Sequence, residues 1–146
     1  MPNYSLYWVG RHYQATGSYF NGGTCGRVLT GGGNQLYGYW GGYKKQFYSN
    51  GSPNILEGYG CDTNWDIFSL TFSSYGNFNM KWNGQALYSG GTGDWGMSYL
   101  GINTQGCCGN EVSTAEVAEI ILYTVAHSSS DVSSTETYLN LKWVVY

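Results

Sequence analysis

Asp62, Asn64 and Asp66 recur at alternate positions in CDTNWDIF, the spacing at which a calcium loop presents its first oxygen ligands. The sixth position of such a loop must turn sharply on glycine, and here it is Ile67. The twelfth should be a bidentate glutamate, and here it is Ser73. An EF-hand is excluded, and the plain reading is a turn entering a strand over 65–73. GTGDWG at 91–96 satisfies GxGxxG, but MSYLGIN follows it and reads as a strand, so no helix stands ready to receive a phosphate. His12 and His127 lack a serine, cysteine or aspartate partner in any hydrolytic arrangement, and GxSxG is absent. They read as surface or packing residues. Glu116 and Glu119 stand three apart, which puts them on opposite faces of a strand, whereas retaining glycoside hydrolysis needs two carboxyls about 5 Å apart on one face. Catalysis by that route is not expected.

Aromatic residues offer more. Sugar rings present apolar C–H faces that stack on Trp and Tyr, while Asn, Asp and backbone groups serve the hydroxyls. Segments read as loops hold Tyr37, Tyr39, Trp40, Tyr43, Tyr48, Tyr59, Asp94 and Trp95 amid Gly and Asn. Trp40 is expected to pack. Tyr43 and Trp95, then Asp94, Tyr48 and Tyr59, are the candidate ligand contacts.

The elements that must position these residues are short strands. In YSLYWV, Tyr4, Leu6 and Trp8 share one face and Ser5, Tyr7 and Val9 the other. In WDIFSLTFSS, Asp66, Phe68, Leu70 and Phe72 alternate with Ile67, Ser69, Thr71 and Ser73. Phe78, Met80 and Trp82 alternate with polar residues before Asn83-Gly84, a pair suited to the positive φ angles of a type I′ hairpin turn. GRVLTGGG, NQLYGYWGGY, MSYLGIN and VAEIILY supply further strands. A helix then begins after His127, with Ser128 as its cap and Asp131 as the acidic half of a capping box. Val132, Thr135, Leu139 and Trp143 form its apolar stripe. Ser133, Ser134 and Thr137 are poor helix formers, so the helix must be held by docking on a sheet. The fold class expected is all-β, a two-sheet antiparallel jelly-roll sandwich with one short C-terminal helix.

Length and composition bound the rest. The 146 residues read as a single domain over 1–146, and 42% apolar residues can fill a core. Charged residues are only 10%, while Gly numbers 23 and Tyr 15, as in β-proteins with many tight turns. A net charge of −3 with scattered cations argues against nucleic acid. No run of about 18 apolar residues could span a membrane as a helix, and the N-terminus does not read as a signal peptide. Cys25, Cys61, Cys107 and Cys108 match no zinc pattern and leave three disulfide pairings open. Sequons at Asn3 and Asn50, with few Lys and Glu, point to an extracellular or virion-surface setting.

VAEIILYTVAHSSSDVSSTETYLNLKW closely resembles the end of concanavalin A-like lectin/glucanase (laminin G-like) jelly-roll domains. There an AEIIIY-like strand, a Ser-Asp helix start and a YL..KW ending follow one another. The counterparts here are residues 118–123, 128–131, Tyr138-Leu139 and Lys142-Trp143. YSLYWVGR, the GYWGG segment and the Asn83-Gly84 hairpin resemble internal strands of that family, so the resemblance spans nearly the whole chain. It implies a calcium site at the sandwich rim as the open role for Asp62, Asn64 and Asp66, and a framework place for Glu119. The hydrolase branch carries a Glu-x-Asp-x-x-Glu strand, and no such triplet occurs here. Two departures stand out: the family's first strands are missing before Tyr4, suggesting a piece of a longer chain or a strand supplied by a partner, and Val144 stands where the family places Gly after Trp. The expected function is non-catalytic recognition or attachment at a surface, with a glycan or cell-surface ligand and with other subunits or the rest of a longer chain as partners, on a phage or virus particle. The rivals are a capsid, fibre or filament subunit and, second, a glycoside hydrolase.

Overall fold

Period-two alternation builds the strands, as the registers of the computed structural model show. It describes residues 3–13, 26–32, 34–40, 43–49, 54–55, 61, 63–73, 77–91, 97–103 and 113–146. In chain order the elements are β1 (Tyr4–His12), β2 (Leu29–Gly31), β3 (Gln35–Trp40), β4 (Tyr43–Ser49), β5 (Asn54–Ile55), β6 (Asp66–Ser73), β7 (Asn77–Trp82), β8 (Gln85–Gly91), β9 (Leu100–Ile102), β10 (Ala115–Tyr123) and α1 (Ser129–Trp143). The strands form two five-stranded sheets, ordered β10-β1-β6-β7-β8 and β5-β4-β3-β2-β9. The chain is mostly β with one C-terminal helix, consistent with a β-sandwich. By contacts it divides into two compact units, one of Met1–Gly10, Asn64–Gly96 and Val117–Tyr146, the other of Arg11–Thr63 and Met97–Glu116.

In the first unit, antiparallel pairing sets Tyr4 opposite Phe72, Leu6 opposite Leu70 and Trp8 opposite Phe68. The next pair of strands continues the rows, with Phe68 opposite Trp82, Leu70 opposite Met80 and Phe72 opposite Phe78. All nine side chains are buried. Each contributes roughly 1.5–3 kcal/mol by leaving water. Asn83 (φ 47°) and Gly84 (φ 75°) make the two-residue turn between β7 and β8, both in the left-handed region as a type I′ turn requires. The Asn83 side chain also ties the turn to β6: its Oδ1 accepts from the Ile67 N–H at 2.7 Å.

The opposite face of β1 and β6 mixes Ser5, Ser69 and Thr71 with Tyr7, Val9 and Ile67, and all six are buried as well. The reason is α1. Ser128 caps it, with Asp131 N–H donating to Ser128 Oγ and Ser128 N–H donating to Asp131 Oδ2, the reciprocal bonds of a capping box. Val132 and Leu139 pack on Tyr7, Val9 and Ile67, and Trp65, Ala118, Ile121, Trp143 and Val145 close around them. The expected stripe needs one correction. Thr135 is only half-buried, and Glu136 takes the buried place between Val132 and Leu139. The face that meets the sheet follows the i, i+4, i+7 row. At the helix end Val144 has φ 53° and ψ 59°, a left-handed C-cap filled by a β-branched residue, and its N–H reaches Asn140 O.

In the second unit, β4 corrects the reading of Tyr43 and Tyr48 as loop residues. YKKQFYS shows no clean alternation because the β3–β4 register shifts at Gly38/Tyr39 and Lys45 sits at φ 59°. Tyr37 and Tyr39 lie on β3, within the strand read over NQLYGYWGGY, and are buried rather than presented to a ligand. The Tyr37 hydroxyl donates to Gln35 Oε1 at 2.6 Å. Arg27 is buried too, and its guanidinium donates to Thr30 Oγ1 and Asn34 Oδ1. His12 is a packing residue, its ring edge-on to Tyr39 at 4.2 Å.

Candidate functional site

Where the N-terminal half of α1 leaves the polar face of the first sheet, a groove of about 270 Å³ remains. Alternation on β6 and β7 delivers Ser69, Thr71, Asn79 and Lys81 to it, β8 adds Ser89, and Ser129, Val132 and Ser133 come from the helix. Tyr88 borders it, but its ring stacks on Phe78 at 4.8 Å and its hydroxyl donates to Gly91 O. Met80, Ala86 and Val132 give the groove an apolar floor, over which hydroxyl, amide and amine groups stand at its sides.

Two buried arrangements hold the wall. Lys81 Nζ donates to Glu136 Oε2, and Ser69 Oγ donates to Glu136 Oε1 at 2.8 Å. The helix is thus pinned to β6 and β7 by one carboxylate beneath the groove. On the other side His127 is fixed at both ends. Its backbone N–H donates to Ser5 Oγ, which donates in turn to Val125 O, and its Nδ1 lies 2.9 Å from the Tyr7 hydroxyl. Burial, with the negative charge of Glu136 adding to it, pushes the Tyr7 phenol well above its usual range, so it stays protonated.

Of the candidate contacts, Tyr43 and Tyr48 are described, and both belong to the second unit rather than to the groove. They share β4, half-buried; Tyr43 lies opposite Trp40 in the register, and the Trp40 ring stacks on Tyr48 at 6.4 Å. Asp94, Trp95 and Tyr59 lie outside the described residues, as do Asp62, Cys25, Cys107, Cys108 and Asn50. Cys61 is disulfide-bonded. Asp66 is buried, and its Oδ1 accepts from Trp82 Nε1 and Asn83 Nδ2, which ties β6 to the β7–β8 hairpin, while Asn64 is exposed. Among the described residues no three of His, Cys, Asp and Glu cluster as metal ligands would. Asn3 is half-buried at the foot of β1. Glu119 has a framework role: it accepts from Trp143 Nε1 at 2.7 Å, from the Tyr138 hydroxyl and from Lys142. Glu116 pairs instead with Arg11.

The groove residues were missed in the sequence because each is an ordinary polar residue on an alternating strand. The available signal was the coincidence of Ser69 and Thr71 with Asn79 and Lys81 on two strands that pair closely in sequence, opposite a continuous row of aromatics.

No protein-family model and no curated protein matches the chain. Among solved structures it resembles Trypanosoma rangeli sialidase in complex with 2,3-difluoro-KDN, at TM-score 0.62 and 18% identity, covering 97% of this chain and 23% of that one. It also resembles the botulinum neurotoxin serotype D binding domain, at TM-score 0.56 and 13% identity, covering 96% of this chain and 38% of that one. The chain thus spans less than a quarter of the sialidase and under two-fifths of the toxin domain. At such identities the likeness is one of fold, and it is to a sheet-rich architecture consistent with the β-sandwich read from the strands.

Proposed function

We propose that the chain is a non-catalytic recognition module with a concanavalin A-like, laminin G-like jelly-roll fold, and that it binds carbohydrate at a surface. The observation that carries the reading is the groove beside α1, where hydroxyls and amides converge at a size near the lower end of ligand pockets, about 300 Å³. That chemistry suits a ligand made of ring hydroxyls. Among the described residues its wall carries no carboxylate pair of the kind that most glycoside hydrolases use. A sialidase in complex with 2,3-difluoro-KDN among the solved structures of similar fold supports the ligand class, and a toxin binding domain among them supports a recognition role. The Cys61 disulfide supports an oxidising setting outside the cytoplasm, such as a virion or cell surface. Trp40, Tyr43 and Tyr48 offer a second surface suited to stacking, and weak sites of this kind become useful in many copies.

A glycan array probed with the chain tests this. Binding that falls at least about fivefold in Asn79→Ala supports the groove, since one lost hydrogen bond is worth about 1 kcal/mol. A silent array overturns the reading. One observation favours assembly as a second reading: Val125, Leu141, Val144 and Tyr146 are exposed apolar side chains in the C-terminal segment. A scattering mass that grows with concentration, together with a silent array, would select it.

A further inference from the structure

We infer that the groove selects a sugar bearing an anionic oxygen group, because Lys81 and His127 line it and, among the described residues, no carboxylate does. This rests on the glycan-binding reading and narrows it. The chain as a whole carries nine acidic residues against six basic ones, so a wall whose only ionisable side chains capable of positive charge are Lys81 and His127 runs against the average.

Glu136 does not cancel this. It lies behind the wall, 5% exposed, and accepts one Lys81 proton and the Ser69 hydroxyl proton. An ammonium has three donors, so two remain on a Lys81 side chain that is a quarter exposed. Glu136 thereby holds the amine at the wall rather than letting it swing into solvent. His127 is arranged the same way. Its ring is held in place, with Nδ1 2.9 Å from the Tyr7 hydroxyl and the ring packed on Tyr123 at 4.1 Å. Ser129 and Ser133 hydroxyls stand on the same wall and rotate to donate or accept. The two Lys81 donors that Glu136 does not take match an acceptor-rich group, and charge-assisted bonds to an anion are about twice as strong as neutral ones.

The test titrates the full chain with galacturonate-, glucuronate- and sialic-acid-terminated trisaccharides, each beside its methyl ester, and with one O-sulfated neutral trisaccharide. Amide NMR shifts of Ser69, Ser89 and Ser133 report the groove. The expected result is that at least one free acid or the sulfated sugar binds about tenfold tighter than its uncharged counterpart, the effect of one charge-assisted bond. The tighter of the two assigns a carboxylate or a sulfate ester. Equal affinity for acid and ester overturns this inference and leaves the glycan reading standing. If no sugar moves those amides, both fall. Lys81→Met alone strands a buried carboxylate and risks the fold, so the variant to use is Lys81→Met with Glu136→Gln. It is expected to keep ester affinity and lose the preference for the anion; a preference that survives in it overturns the role given to Lys81.

Discussion

Glu136 and Lys81 form an unequal pair, and their inequality can be measured. The carboxylate is 5% exposed and the amine 25% exposed. Removing the amine with Lys81→Met leaves a charge buried with a single hydroxyl donor, Ser69 Oγ, a loss of about 3–5 kcal/mol. Removing the charge with Glu136→Gln is milder. The ammonium can turn to water, and the new amide oxygen can still accept from Ser69, so the expected loss is about 1–2 kcal/mol. The double variant leaves no uncompensated charge and should lie within about 1–2 kcal/mol of the parent, well short of the sum. Urea unfolding followed by far-UV circular dichroism gives all four values from shifts in midpoint at constant m. With total stability of about 5–15 kcal/mol, a loss of 3–5 is large enough to see and small enough to survive. Should Glu136→Gln cost as much as Lys81→Met, or should the two losses add, the account of a carboxylate pinning α1 over β6 and β7 is refuted.

Two further outcomes follow from the C-terminal segment. Val144→Gly should stabilise by about 0.5–1 kcal/mol, since the left-handed cap strains an L-residue by about 1–2 kcal/mol, part of which glycine's flexibility takes back; Val144 is 84% exposed, so no burial is lost. A lower urea midpoint in the variant would contradict this. Burial raises the Glu119 pKa, but hydrogen bonds from Trp143, Lys142 and Tyr138 outweigh it and hold the carboxyl below its ordinary value. A depressed folded-state pKa contributes stability above the unfolded value of about 4.3, and that stability is lost as pH falls through the folded value. Glu119→Gln should therefore be less stable than the parent at pH 6, with the gap closing on acidification; a gap of equal size at pH 6 and pH 3 would count against it.

Much of the architecture was legible because it is local. Tyr4–Val9, Asp66–Ser73 and Phe78–Trp82 alternate so regularly that the face each side chain takes follows from period two, while the register across β1, β6 and β7 came from their pairing in the fold. Asn83-Gly84 and the Ser128/Asp131 box name a turn and a helix start by chemistry confined to four residues. β4 was hidden because a bulge and a left-handed Lys45 erase its alternation, and Tyr43 and Tyr48 passed for loop residues with it.

By itself, the sequence determined that the chain is mostly β, where its hairpin turns, and that its last element is a capped helix in need of a sheet, since each rests on interactions within a few neighbouring residues. Only the tertiary structure decided which polar residues matter. Ser69, Lys81 and Glu136 are separated by up to 67 positions, and meet because α1 settles on this particular face of the sheet. Burial turned an unremarkable helical glutamate into the pin beneath the groove, and burial depends on what lies opposite, which no local pattern encodes.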